Sequence, residues 1–399
     1  MKLSIITPTH NPKFLHELER TIMDNIYQDW EWIILLNNGA KFVPRNHNDS
    51  RIKIFKSNTN STAVGKLKKE ACSYATGEVI VEVDHDDLIT PNCLGKVKEV
   101  FEDGQVGFVY SDNAKLSDTF KPYDSFWGWT YRMFERKGKQ LYAMNSLPLT
   151  PGRLGYIWYA PDHVRAWRKS VYDFIGGHNE TLEICDDLDL MHRLYMVTKF
   201  KYIPEVLYIY RILDDGSNTW LQRNKAIQEK TVEIYHKNIY DLSLRFCQIN
   251  GLMAIDLCGG FNKPQGFVSI DKHNGDITAD LDEGIPLRDN SCGIVRAYDA
   301  MEHLIDKQKT MKEIHRVLAP GGILLSQTPS TDGRGAWQDP THVSFWNENS
   351  FWYYTRPQQM QFIHNKEIRF FESTLRTIFP SEWHKQNNIP YVQAFLEKI

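Results

Sequence analysis

The chain has 399 residues, 42% hydrophobic and 24% charged, the usage of a folded protein long enough for two domains or three small ones. Lysine plus arginine (47) nearly balances aspartate plus glutamate (50), and residues 1–249 alone hold 32 of each sign, so no nucleic-acid partner is expected. Six scattered cysteines without a CxxC pair argue against a zinc site or disulfide framework and fit a reducing compartment.

The opening MKLSIITPTH enters an apolar strand at once, without a signal-peptide pattern, and no apolar run approaches the roughly 18 residues of a membrane span. A cytoplasmic protein without a transmembrane segment is expected; peripheral membrane contact and oligomeric state stay open. Strand Leu3–Thr7 ends in Pro8-Thr9-His10-Asn11-Pro12, and a helix follows over Lys13–Asn25. Trp32–Leu36 is a second apolar strand, ended by the turn Asn37-Asn38-Gly39. Arg51–Phe55 is a third strand, Thr62–Ala75 a helix, and Glu78–Val83 a fourth strand that runs into Asp84-His85-Asp86-Asp87. Fully apolar strands alternating with helices predict an α/β fold with a mostly parallel sheet. Ligands of such sheets bind at the carboxyl ends of strands. Residues 110–160 read as an irregular excursion over that edge.

Asp84-x-Asp86 puts two carboxylates at the edge, hard oxygen ligands for Mg²⁺ or Mn²⁺ completed by substrate phosphates. The plainer alternative is a solvated acidic turn. Farther on, Asp187, Leu190, Met191 and Leu194 share one helical face, so Asp187 is expected to point inward, with a raised pKa, as a proton acceptor. Asp186 reads mainly as the helix N-cap. The segments IITPTHNP, VGKLKKEACSYATGEVIVEVDHDDLITP and GGHNETLEICDDLDLMHRL resemble family-2 glycosyltransferases of the GT-A fold. That resemblance covers most of residues 1–240. It implies inverting transfer of a sugar from a nucleotide-sugar donor to a glycan or glycolipid hydroxyl. It also implies metal and nucleotide contacts at Asp84 and Asp86, nucleotide contacts at Thr7, Pro8 and Thr9, and catalysis by Asp187. Three positions depart from the family pattern. Asn37-Asn38 stands where acids often read the base; Asn38 is kept as a nucleotide contact. Lys69-Glu70 replaces an Arg-Asn pair, leaving Lys66 and Lys69 as diphosphate partners. Leu213 stands where a metal-binding His often follows, with Asp214 or Asp215 as substitutes. Trp127, Trp129, Trp158 and Trp167 read first as core and second as stacking surfaces for a sugar.

A long helix is predicted over Gln222–Phe246, and a second alternation starts at Leu252–Leu257. Strands Gly266–Asp271, Ile294–Tyr298 and Ile323–Thr328 follow, with a helix over Glu302–Leu318. The expected division is 1–248 and 249–399. A Gly-rich turn after the first of these strands and an acid ending the next suit a nucleoside ligand. The segments IDLCGG, VSID, ADL, DAMEHL, EIHRVLAPGG and DPTHVSFW resemble class I S-adenosylmethionine-dependent methyltransferases, a doubly wound sheet. The resemblance implies that Asp256 and Gly260 line the methionine end, Asp271 the ribose, and Asp280 and Leu281 the adenine, with Asp299 closing the pocket. Cys258 replaces the first glycine of the turn. His303 and His342 are candidate bases for an acceptor hydroxyl, and Trp337–Trp346 a candidate acceptor wall. The reading is a bifunctional enzyme of surface-polysaccharide assembly. The alternative is an active glycosyltransferase carrying a methyltransferase-like binding module without turnover.

Overall fold

The computed structural model describes residues 1–59, 61–123, 128–157, 160–213, 216, 218–364 and 366–399. The chain forms two compact units: residues 1–149 with 157–238, and residues 150–156 with 239–399.

The first unit is built on β1 (Leu3–Thr9), β2 (Trp30–Leu36), β3 (Ile52–Lys56), β4 (Val79–Glu82), β5 (Leu88–Ile89), β6 (Val106–Leu116), β7 (Tyr131–Arg136), β8 (Lys139–Met144), β9 (Arg165–Arg168) and β10 (Lys199–Arg211). Among the described residues these join in the order β3-β2-β1-β4-β9-β6-β10-β5, with the β7–β8 hairpin on β6. The half containing β3, β2, β1 and β4 is parallel. β9 then runs antiparallel to both β4 and β6, which restores the direction of β4 in β6 and β10. The carboxyl ends of β1, β2, β4 and β10 and the start of β9 therefore share one edge. β1 and β2 are almost wholly buried and mostly apolar, as in a sheet covered on both faces; Leu15, Leu18 and Ile22 pack with Leu3, Trp32 and Val81 in the core.

The second unit holds β11 (Met253–Leu257), β12 (Val268–Asp271), β13 (Ile277–Thr278), β14 (Cys292–Tyr298), β15 (Leu318–Pro329), β16 (Phe370–Ile378) and β17 (Tyr391–Lys398). Their order is β13-β12-β11-β14-β15-β17-β16. β11 to β15 are parallel, and β17 is antiparallel between β15 and β16. The sheet is doubly wound, and its order reverses between β11 and β14, where ligands of such sheets bind.

Four expectations change. The stretch 110–160 is not an irregular excursion throughout: it holds the end of β6 and the β7–β8 hairpin. The helix expected over Glu302–Leu318 is a 3₁₀ turn, Met301–His303, and a separate helix, Lys307–Val317, because the Asp306 side chain caps Gln308 and Lys309. The units divide at 238/239 rather than after 248, a point inside helix Asn224–Asn250, which also runs through the expected join; residues 150–156 also go to the second unit. Helix Asp186–Val197 is preceded by Cys185 in a left-handed conformation (φ 57°), so Asp186 is its first residue, not its cap.

Candidate functional site

At the first edge the strand ends are tied together before any ligand arrives. The Thr7 hydroxyl donates to the Val83 carbonyl (2.9 Å) and accepts from the Trp32 indole (3.0 Å), so it knits β1, β2 and β4 from within. Thr9 is buried and accepts from the Asn11 amide, while Pro8 is half-buried beside it. Asn38 (φ 50°) and Gly39 (φ 76°) turn left-handed, which leaves Asn38 exposed at the edge. The loop after β4 is clamped by Arg211. Its amide donates to Asp87 (2.6 Å), its Nε to the Asp86 carbonyl (2.7 Å), and its guanidinium lies 4.1 Å over Phe14. The Asp84 amide donates to the Tyr208 hydroxyl (3.1 Å).

Behind this loop lies a buried ionic cluster. Lys68, on helix Val64–Ser73, pairs with Glu82 and lies 3.4 Å from Asp186. Burial works against its charge, but Asp186, Glu82 and Asp84 outweigh it and hold the ammonium on. Burial pushes Asp84 up to about 7 and Asp186 up to about 6, in both cases against the pull of Lys68. Asp187 differs. Its Oδ2 accepts from Arg165 (2.5 Å) and its Oδ1 from the Leu188 amide (2.9 Å). Burial opposes its charge, yet Arg165 and Lys68 hold the carboxyl below its ordinary range. The expectation of a raised pKa at Asp187 is corrected: it is an oriented, ionised carboxylate. Arg165 in turn donates Nε to the Pro161 carbonyl (2.9 Å) and stands opposite Glu82 in the β4–β9 pairing.

Asp84 and Asp86 are half-buried and offer the hard oxygens that suit Mg²⁺ or Mn²⁺. Burial first, then the charges of Glu82 and Asp86, raise Asp84, and a cation at the site would oppose that shift. Among the described residues they do not form part of a three-ligand group; the candidates Asp214 and Asp215 lie outside the described residues, as do Trp127 and Trp158. Trp129 and Trp167 are buried in the core. Lys69 pairs with Glu180 (2.8 Å), and Glu70 accepts from Ser57 and Asn58. Lys66 is half-buried on the same helix.

At the second edge, Cys258 (φ 55°) and Gly260 (φ 49°) turn the chain left-handed after β11. A Cβ on Gly260 would stand 3.9 Å from Asp271 Oδ2, so the acid at the end of β12 faces the turn. Amides of His273 and Asn274 donate to its other oxygen and hold the carboxyl below its ordinary value. Burial, with the charges of Asp271 and Glu302, pushes the Cys258 thiol up to about 12. Turn and strand-end acid form a cradle that fits the ribose end of a nucleoside such as S-adenosylmethionine. Asp256 is placed differently from the expectation: both its oxygens accept from Arg296 (2.8 and 2.9 Å), across the β11–β14 pair. Asp280 pairs with Lys272 (2.6 Å), and Leu281 lies in the core. Asp299 is exposed at the end of β14 (φ 49°). The rings of His303 and His342 meet edge-on at 5.1 Å. Trp346 is buried, while Trp337 is exposed and stacked on Phe345.

Lys68, Arg165 and Arg296 were absent from the sequence reading. Lys68 had a signal: it lies three residues after Gly65 and four before Cys72, on the buried stripe of its helix. Arg296 is the one charge in an otherwise apolar strand, where it signals a buried partner; Arg165 shares the four-residue β9 with Arg168, and nothing in that short segment marks it out.

Two α/β domains each carry acidic side chains at the carboxyl edge of the sheet, where ligands of such folds bind, and their family matches make both of them transferase domains. Residues 4–157 match the model of glycosyl transferase family 2, and residues 252–326 match a methyltransferase domain; the chain joins a family-2 glycosyltransferase domain to a class I methyltransferase domain. Similar solved structures include TarS of S. aureus in complex with UDP-GlcNAc, 15% identical over 62% of this chain and 73% of that one, TM-score 0.44. Another is the mannosyltransferase PcManGT of Pyrobaculum calidifontis in complex with GDP-Man and Mn²⁺, 16% identical over 61% and 70%, TM-score 0.40. No curated protein matches the chain.

Proposed function

We propose that the first domain transfers a sugar, with inversion, from a nucleotide-sugar to a hydroxyl of a glycan or glycolipid. The second then methylates a hydroxyl of the same class of acceptor, in the cytoplasm, during surface-polysaccharide assembly. The observation that carries the first part is Asp187, ionised and aimed by Arg165 beside the loop of Asp84 and Asp86. The acceptor oxygen bonds to the sugar carbon as the bond to the diphosphate breaks, and the acceptor proton passes to Asp187. A carboxylate held below its usual pKa suffices, because the hydroxyl becomes strongly acidic as the new bond forms. Asp84 and Asp86 would hold Mn²⁺ or Mg²⁺, which supplies positive charge to the leaving diphosphate. Thr9, Asn38 and Lys66 are the nucleotide-side contacts, with Pro8 shaping the floor.

In the second domain Gly260 and Asp271 would hold S-adenosylmethionine, which supplies the methyl group. A second reading, binding without turnover, is favoured by the engagement of Asp256 with Arg296 and of Asp280 with Lys272. Calorimetry with S-adenosylmethionine, followed by methyl transfer to glycan acceptors, separates the two.

The test of the first part is hydrolysis of a nucleotide-sugar panel with Mn²⁺ or Mg²⁺, wild type beside Asp86→Ala and Asp187→Ala. One donor is expected to turn over, with loss on removing the metal or in Asp86→Ala. Turnover indifferent to both changes refutes the site.

A further inference from the structure

Glu302, His303 and His342 come from the turn after β14 and from the segment after helix Gly335–Gln338. One ligand atom from each lies within 4.8 Å of the others. The backbone builds this convergence: the Val343 and Ser344 amides both donate to the Glu302 carbonyl, at 2.9 and 3.0 Å. Residues 302–303 and 342–344 are thereby clamped side by side.

The hydrogen bonds around the three side chains decide their protonation. Nδ1 of His342 meets the Ala336 carbonyl (3.1 Å), which can only accept. Nδ1 of His303 meets the Thr341 carbonyl and hydroxyl oxygen, each at 3.3 Å. That hydroxyl gives its proton to Asp339 (2.7 Å), so it too accepts. In the neutral imidazoles these acceptors place the proton on Nδ1 and leave Nε2 as the lone-pair donor; Nε2 of His342 also lies 3.9 Å from Asp339 Oδ2. Glu302 is buried, and one of its oxygens accepts from Thr328 (2.7 Å). Among the described residues no hydrogen bond or ion pair joins Glu302 to either imidazole. A candidate ligand atom of each residue thus lies within 4.8 Å of the others, while Nδ1 of both imidazoles and one Glu302 oxygen are held by other partners, as in the outer contacts of metal ligands.

We propose that Glu302, His303 and His342 bind a divalent first-row transition-metal ion with at least one position open to an oxygen ligand of the acceptor. Two imidazoles and one carboxylate suit Zn²⁺, Co²⁺, Mn²⁺ or Fe²⁺ better than Mg²⁺ or Ca²⁺. Bonds of ~2.1 Å draw tetrahedral ligands to about 3.4 Å from one another, so small side-chain rotations complete the site. Both imidazoles then serve as ligands rather than as free bases, and the acceptor hydroxyl is recognised through the ion. The site deepens the reading of the second domain, but its metal binding does not depend on methyl transfer.

The experiment is calorimetric titration of Zn²⁺ alone into the full chain after chelator treatment, without S-adenosylmethionine. Absorption of the Co²⁺-loaded protein in the visible provides a second readout. Wild type and Asp86→Ala are expected to share one tight site, weakened at least about 10-fold in His303→Ala and His342→Ala, with altered Co²⁺ bands. Circular dichroism and thermal melting check that each variant is folded; should an alanine variant fail to fold, His303→Gln and His342→Gln are read instead. Unchanged Zn²⁺ binding in the folded histidine variants, or no tight binding in wild type, overturns the proposal. Zn²⁺ binding without any methyl transfer leaves the site standing and removes the catalytic reading of the domain.

Discussion

Lys68→Met takes away the positive charge on which the cluster behind the first site depends. Lys68 pairs with Glu82 and lies 3.4 Å from Asp186, and all three side chains are almost wholly buried. Two unit charges about 4 Å apart, at an effective dielectric near 20, interact by about 4 kcal/mol. Loss of both pairs therefore exceeds what the carboxylates can bear while ionised, and protonation sets the ceiling. Keeping an ordinary carboxylic acid neutral costs about 1.4 kcal/mol per pH unit above its reference value near 4. That is roughly 4–5 kcal/mol per ordinary carboxyl at pH 7.5 and roughly 1 at pH 5, and Asp186, already raised to about 6 beside Lys68, adds less than a full share. The variant is expected to lose about 3–5 kcal/mol at the higher pH, the usual cost of stranding a buried charge, and only about 1 at the lower. Urea unfolding of wild type and variant at both pH values measures it. An equal loss at both would mean that packing of the side-chain stem, not charge, is what Lys68 contributes.

Glu31 is expected to behave in the same direction with pH. Burial opposes its charge, but Lys53, Ser4 and Lys2 hydrogen bonds hold the carboxyl far below its ordinary value, so its contribution is present above about pH 4.5 and is lost as pH falls through the folded value. Glu31→Gln should cost about 1–3 kcal/mol at neutral pH, because Lys2 and Lys53 are partly exposed and can rehydrate, and less in acid, read by chemical denaturation; a constant cost would refute the charge argument. In the second domain burial pushes Glu397 up to about 7 despite Arg153 at 3.6 Å and Thr150 at 2.7 Å. A carboxyl raised on folding stabilises fully below its unfolded value and loses that contribution as pH rises to about 7, about 3 kcal/mol in all. Thermal melts should fall between pH 5 and 8 in wild type and flatten in Glu397→Gln; parallel curves would show that Glu397 does not titrate in that range.

The strands that carry both sites were legible because they are short, mostly apolar runs ending in turn or acidic residues: Leu3–Thr9, Trp30–Leu36 and Val79–Glu82 in one unit, Met253–Leu257 and Val268–Asp271 in the other. Periodicity finds such strands, and the rule of carboxyl ends then names Asp84, Asp86 and Asp271. It does not find antiparallel additions. β7 alternates weakly and is half-exposed, and β16 and β17 pair only with each other and with β15. Nor does it find partners distant in sequence. Arg165 lies 22 residues from Asp187, and Arg296 40 from Asp256. The sequence reading therefore placed Asp187 on the correct helix and inverted the direction of its pKa, because the residue that sets that direction sits on another strand.

The same distinction bears on Cys258, which replaces the first glycine of the cofactor turn. A side chain in the left-handed region costs about 1–2 kcal/mol, yet Cys258 adopts φ 55° and its amide donates to the Ile270 carbonyl (2.9 Å). The surroundings hold the turn in the shape that a glycine would give it. The residue that cannot change is the next one: a Cβ on Gly259 would stand 2.2 Å from Asp256 Oδ2, which Arg296 pins in place. Cys258→Gly should therefore shift S-adenosylmethionine affinity by less than about threefold, whereas Gly259→Ala should weaken it at least about tenfold, since ~1.4 kcal/mol of displaced geometry already gives that factor. Calorimetry on both variants decides. A tenfold gain in Cys258→Gly would show that the substituted thiol, rather than the Asp256–Arg296 pair, controls the cradle, and the binding-module reading would then rest on that single residue.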